Sequence, residues 1–254
     1  MKPTMKLKSK KTSIQYKVEK SPNYNPRGKF DISYLIIHYT GTDTLRKALK
    51  IFLDKRSKLS CHWLISKGGT LYKIVQEENI AWHAGKSYWK GEFNLNNRSI
   101  GIELENPGHG KNYNFFPKKQ MTSLEHLVGD LIVKYKINIK NVLGHSDIAP
   151  ERKSDPGEYF NWSYLAEKGL AFCPKYKVIK NNKIIFQLGH QSTEIAALKK
   201  KLKCIGYKCN NSNKFDLQLK LVIEAFQRRF LPESINGIID RNLVKRVNAL
   251  VKKT

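Results

Sequence analysis

The chain has 254 residues, of which 40% are hydrophobic and 27% charged, and its 47 Lys and Arg against 21 Asp and Glu leave a formal net charge of +26. That length and apolar content suit one large domain or two smaller ones and exclude a chain disordered throughout. The positive excess implies attraction to a polyanion (nucleic acid, an acidic membrane surface or an anionic wall polymer), although the lysines are dispersed, as a merely Lys-rich composition would leave them.

Residues 1–20 read as a flexible basic arm with no recognisable signal peptide, and no apolar run in the chain is long enough to span a membrane. Turn residues from Ser21 to Gly28 precede Ile32–Gly41, whose continuous apolar run predicts a buried central strand with His38 near its carboxyl end. Ligand crevices lie at the carboxyl ends of strands in open α/β sheets, so His38 is placed for function, although a buried structural histidine would look the same. Leu45, Ala48, Leu49 and Phe52 recur at helical spacing behind a cap at Thr42, Asp43 or Thr44. Cys61–Ile65 and Leu71–Val75, joined through Gly68-Gly69, predict a hairpin. Ala81–Gly85 reads as a loop carrying Trp82 and His83.

Ser99–Asn106 reads as a strand whose alternation puts Ile100, Ile102 and Leu104 on one face and Gly101, Glu103 and Glu105 on the other. A carboxylate midway along a buried strand is costly unless paired or beside a metal, which singles out Glu103; an edge strand facing water would remove the cost. An amphipathic helix follows over Lys118–Lys136, then a short strand at Asn141–Leu143. Gly144–Gly157 concentrates His145, Lys153 and Asp155 in one run, and Pro150 and Pro156 predict a rigid loop rather than regular structure. A helix beginning near Phe160 closes the first unit.

Residues 175–190 form a basic, Asn-rich linker with one short strand at Ile184–Phe186. Helical patterns at Ile195–Leu202, Leu217–Phe230 and Arg241–Val251 predict a small three-helix domain over 191–254. The four cysteines, Cys61, Cys173, Cys204 and Cys209, are too few for a disulfide scaffold and form no C-x-x-C pair; Cys204 and Cys209 either bridge or remain free thiols. The expected fold is therefore α/β, a mixed central sheet flanked by helices over 21–174, with a second, three-helix domain.

Two imidazoles and a carboxylate, His38, His145 and Asp155, form a donor set suited to one zinc ion with a position left for water. Glu103 is then the candidate general base, with Glu105 its rival, and Lys153 a candidate for stabilising an oxyanion. That these groups meet in space does not follow from spacing.

Five blocks carry a resemblance: His38-Tyr39-Thr40, Cys61-His62-Trp63, Ala81–Gly85, Ser99–Glu105 and Gly144–Gly157. In that order, over roughly residues 20–170, they resemble the zinc-dependent N-acetylmuramoyl-L-alanine amidases of the type-2 amidase family, relatives of the peptidoglycan-recognition proteins. The resemblance implies zinc held by His38, His145 and Asp155, catalysis by Glu103 with support from Lys153, and His62, Trp82 and His83 against substrate or behind the ligands. Residues 190–252 resemble the helical peptidoglycan-binding module of cell-wall hydrolases, departing from it at Asn213-Lys214, where the module usually has a glycine. The implied activity is cleavage of the amide between N-acetylmuramic acid and L-alanine in peptidoglycan or muropeptides. A non-catalytic peptidoglycan-binding protein is the alternative. A nucleic-acid partner is not expected, because no recognition motif accompanies the charge. The module favours the cell envelope, and a cytoplasmic recycling role stays open.

Overall fold

A computed structural model describes residues 15–110, 112–180 and 182–253. Its spine is a six-stranded mixed sheet in the order β1 (Tyr16–Val18), β5 (Leu71–Lys73), β4 (Trp63–Ile65), β9 (Ser99–Leu104), β3 (Tyr34–Tyr39) and β10 (Val142–Gly144). β4, β9, β3 and β10 run parallel, while β5 pairs antiparallel with β4 and carries β1 parallel to itself. The long apolar runs take the middle: all six residues of β9 are buried, as are the first five of β3. Glu103 thus lies on an interior strand, and the edge-strand alternative falls away.

Short two-stranded pairings surround the sheet, β2 (Tyr24–Pro26) with β6 (Asn79–Ala81) and β7 (Tyr88–Trp89) with β8 (Glu92–Phe93). The Gly68-Gly69 hairpin forms as its turn chemistry requires. α1 (Leu45–Leu53) starts at Thr44, whose side chain accepts from the Lys47 N–H, and α2 (Lys118–Tyr135) buries Met121, Leu124, Leu127, Val128 and Leu131. α3 (His145–Ile148) is a single turn and α4 (Trp162–Glu167) closes the unit.

The second unit holds α5 (Thr193–Ile205), α6 (Leu217–Phe230) and α7 (Arg241–Val251), with β11 (Ile184–Phe186) paired antiparallel to β12 (Ile239–Asp240). Ser192, Asp216 and Asp240 cap the three helices with their side chains. Its core side chains, Leu202, Tyr207, Phe226 and Leu243 among them, belong to one apolar cluster with Ile36, Ile102 and Leu143 of the sheet.

Two expectations need correction. Residues 16–18, assigned to a flexible arm, form the β1 edge strand, and the Glu19 N–H also donates to Lys73 O; residues 1–14 of that arm lie outside the described residues. The run 144–157 is not irregular throughout, because its first residues complete β10 and form α3 before Pro150 stops the helix. All four cysteines are free, Cys204 exposed and the others buried.

Candidate metal centre

The parallel register of β3 and β9 sets His38 directly beside Glu103 on the same face, with Tyr34 beside Ser99 and Ile36 beside Gly101 further back. Strand β10, on the other side of β3, ends at Gly144 and delivers His145 into the same region. The loop then returns: the Ser146 N–H donates to Asp155 O at 2.8 Å, clamping the two ends of the run together.

Three atoms converge as a result. His38 Nδ1 lies 3.0 Å from His145 Nδ1 and 2.9 Å from Asp155 Oδ2, and His145 Nδ1 lies 3.0 Å from Asp155 Oδ2. Zinc bonds of ~2.1 Å put tetrahedral ligand atoms about 3.4 Å apart, so the three atoms outline one slightly contracted face of such a site. All three residues are buried, and they are the group of His, Cys, Asp and Glu able to hold a metal ion among the described residues.

The protonation pattern fits a metal as well as the spacing does. The Ser99 hydroxyl donates to Leu95 O at 2.6 Å, so its oxygen is free to accept from His83 Nε2 at 3.2 Å. His83 Nδ1 is then an acceptor, 3.0 Å from His38 Nε2, which must carry the proton. This leaves His38 Nδ1 with its lone pair toward Asp155 and His145. His145 reaches the same tautomer differently, with Nε2 donating to Ala84 O at 3.2 Å. Burial and the neighbouring His145 lower His38 to about 4, and burial with the surrounding imidazoles holds His83 well below its usual value. Both rings are therefore neutral at pH 7, which is the form in which His38 can ligate a metal.

Glu103 faces these ligands from β9. Burial and the nearby Asp155 push its carboxyl well above the usual range, while the Lys153 charge opposes the rise. Its Oε2 is buried with no hydrogen-bond partner, an oxygen held ready in a cleft of about 330 Å³. That cleft is bounded by His38, His83, Glu103, His145, Lys153 and Asp155, with Trp82 and Arg152 also on its wall. Trp82 is held there by its Nε1–H bond to Asn25 Oδ1, 2.6 Å. Glu105, just past β9, is engaged elsewhere: Oε1 accepts from the Leu45 N–H at 2.9 Å and Oε2 from the Lys67 N–H at 2.8 Å. The rival carboxylate is thus occupied with backbone capping.

His62 is not at the cleft. It lies behind His83, ring centroids 5.6 Å apart, with Nδ1 accepting from the Gly101 N–H at 3.0 Å and Nε2 donating to Asn79 O at 3.1 Å. Of the two places expected for His62, against substrate or behind the ligands, its position beside His83 fits the second. Arg152 had drawn no notice in the sequence, yet its guanidinium donates to Ala84 O and, at 2.7 Å, to Lys86 O, stitching the His83 loop to the His145 loop. Tyr39, His109 and Ser154 form a further hydrogen-bonded rim, with Tyr39 Oη 2.8 Å from His109 Nδ1 and Ser154 Oγ 3.1 Å from the same atom. Nothing local in the sequence singles out His109, because its partners lie 70 and 45 positions away.

Comparison with known proteins agrees with this architecture. The family model described as N-acetylmuramoyl-L-alanine amidase matches residues 28–158. AmiD of Escherichia coli, named an N-acetylmuramoyl-L-alanine amidase, is 35% identical over 234 residues, covering 87% of this chain and 83% of that protein. The chain belongs to the N-acetylmuramoyl-L-alanine amidase family. A second model, for a peptidoglycan binding domain, matches residues 191–247, so the amidase carries a helical module of that kind. Among solved structures, AmiD in complex with anhydro-N-acetylmuramic acid-L-Ala-D-gamma-Glu-L-Lys superposes with a TM-score of 0.74 at 34% identity, covering 90% of each chain. A Pseudomonas aeruginosa structure in complex with anhydromuramic pentapeptide gives a TM-score of 0.71 at 25% identity, covering 98% of this chain and 99% of that one. The mixed α/β fold is the amidase fold of AmiD.

Proposed function

We propose that this amidase hydrolyses the amide between the lactyl group of N-acetylmuramic acid and L-alanine, with one zinc ion held by His38, His145 and Asp155. The observation that carries the reading is the convergence of three lone-pair atoms within 3.0 Å of one another beside the unpartnered Glu103 Oε2. Zinc bound there would acidify a water and polarise the scissile carbonyl.

Glu103 takes the proton from the attacking water and returns it to the departing L-alanine nitrogen, so the amine leaves neutral. Its raised pKa serves the first half of that task, since a stronger base removes the proton more readily. Lys153, on the cleft wall, stabilises the negative charge that develops on the carbonyl oxygen. His83 and Ala84 O hold the two imidazoles in their ligating tautomers. Trp82 offers an aromatic wall to the substrate.

The peptides seen with the two similar structures support a muropeptide substrate. The helical module, the likeness to AmiD and the net charge of +26, which favours anionic wall polymers, support action at the cell envelope. No helix among the described residues is long and apolar enough to cross a membrane. Incubation with muropeptides and with intact sacculi, products followed by mass spectrometry, tests the reading: release of free stem peptide that a chelator abolishes and added zinc restores is expected. Intact substrate under all conditions would leave a peptidoglycan-binding protein instead.

A further inference from the structure

Asp147 lies two residues after His145 and is almost wholly buried, yet two of its partners come from the far end of the chain. Its Oδ2 accepts from the Gly144 N–H at 2.8 Å and from Arg229 Nη1 at 2.6 Å, while its Oδ1 accepts from the Tyr207 hydroxyl at 2.6 Å. Arg229 also donates through Nη2 to Val142 O at 3.0 Å and to Phe172 O at 3.1 Å, with its guanidinium 4.1 Å from the Trp162 ring centre. One side chain of α6 thereby grips the last strand residues before His145 and the helical turn after it.

Tyr207 is fully buried and follows a close approach of backbone to ring. A Cβ on Gly206 would lie 2.3 Å from the Trp89 indole, and the Lys90 N–H donates to Gly206 O at 3.0 Å. The module is therefore seated on the amidase unit by a tight fit whose polar centre is Asp147. A module serving only to hold the enzyme near its substrate needs no buried ion pair on the loop that carries a metal ligand.

We propose that the helical module positions the metal loop: Arg229 and Tyr207, acting through Asp147, fix the β10–α3 turn from which His145 points. They are positioning residues, and the inference rests on the zinc reading above. Removing them lets the Gly144–Asp147 turn relax, which spreads the orientations of His145 and weakens metal binding in the folded protein.

Competition of the full chain against a zinc-binding fluorescent chelator tests this, with hydrogen exchange over residues 142–149 as a second readout. Arg229→Met should weaken zinc affinity by about tenfold, Tyr207→Phe less in the same direction, and Arg229→Lys should fall between wild type and Arg229→Met. Tyr207→Phe loses a single hydroxyl and keeps the test available should Arg229→Met fail to fold. Tyr176→Phe removes a hydrogen bond to Asn242, shares none with Asp147, Arg229 or Tyr207, and should bind zinc as wild type does. Folded Tyr207→Phe and Arg229 variants with wild-type affinity and unchanged exchange would overturn the proposal, as would an equal loss in Tyr176→Phe. A wild-type chain that binds no zinc is a different result, and would overturn the metal reading itself.

Discussion

His83 holds the Nε2 proton of His38 at 3.0 Å, and Ser99 holds the proton on the far side of His83. The chain ends on a backbone carbonyl, Leu95 O, which can only accept, so every proton in it has one available place. Ser99→Ala removes the acceptor for His83 and frees that ring to turn. The expected result is a loss of about tenfold in zinc affinity, measured by chelator competition, with the fold intact. Unchanged affinity would mean that His38 keeps its tautomer without the relay.

Gly101 is the space in which His83 lies. A Cβ there would come within 2.4 Å of the His83 ring, and the obstacle would be backbone-bound on an interior strand. Gly101→Ala should therefore push His83 off His38 and match or exceed the zinc loss of Ser99→Ala, at a destabilisation of about 1–3 kcal/mol from overpacking. Chemical denaturation and zinc titration on the same sample separate the two effects.

His62 predicts how acid unfolds the metal-free chain. Burial, with the Arg27 charge beside the ring, lowers it to about 3, against the 6.5 of an exposed histidine, and its Nδ1 is occupied by the Gly101 N–H. Between these values the unfolded chain binds a proton that the native chain refuses. The His62 contribution is then fully present above pH ~6.5 and falls away as pH drops towards ~3, at up to about 1.4 kcal/mol per pH unit. His62→Asn keeps an acceptor for Gly101 and titrates nowhere in this range. Unfolding curves from pH 7 to 4 in chelator should show a slope smaller by about one proton in the variant. Equal slopes would contradict the assignment.

Lys153 lines the cleft and its charge acts on Glu103, and the proposed mechanism has it act on the developing oxyanion as well. Lys153→Met should lower kcat by about 10²–10³ while leaving zinc affinity close to wild type. Loss of zinc instead would make Lys153 a support of the loop rather than of the transition state.

The buried parts of this fold were legible because their chemistry is local. The apolar run at Tyr34–Tyr39 could only be an interior strand, and Leu217–Phe230 emerged with the bounds its periodicity predicted, behind the Asp216 cap. β1 was hidden because its three residues are exposed, and the alternation Tyr16-Lys17-Val18 is too short to stand out from the basic segment before it. Strict alternation made Glu105 a rival of Glu103, but its two carboxylate oxygens are taken up by the Leu45 and Lys67 N–H groups, 60 and 38 positions away. The role of Asp147, and the partner that His83 takes, were invisible for a different reason. Their partners, Tyr207 and Arg229 for one and His38 for the other, lie 60, 82 and 45 positions away, and only the packed fold brings them within hydrogen-bond reach.

The zinc-amidase reading separates binding metal from using it, and Glu103 is where the two divide. It lines the cleft without a bond to the three converging ligand atoms. The most direct measurement is therefore zinc content and muropeptide turnover on one preparation of Glu103→Ala. Full zinc occupancy with turnover reduced by about 10²–10⁴ is expected. Turnover near that of wild type would contradict the assignment of Glu103 as the base and, with it, the proposed course of the reaction.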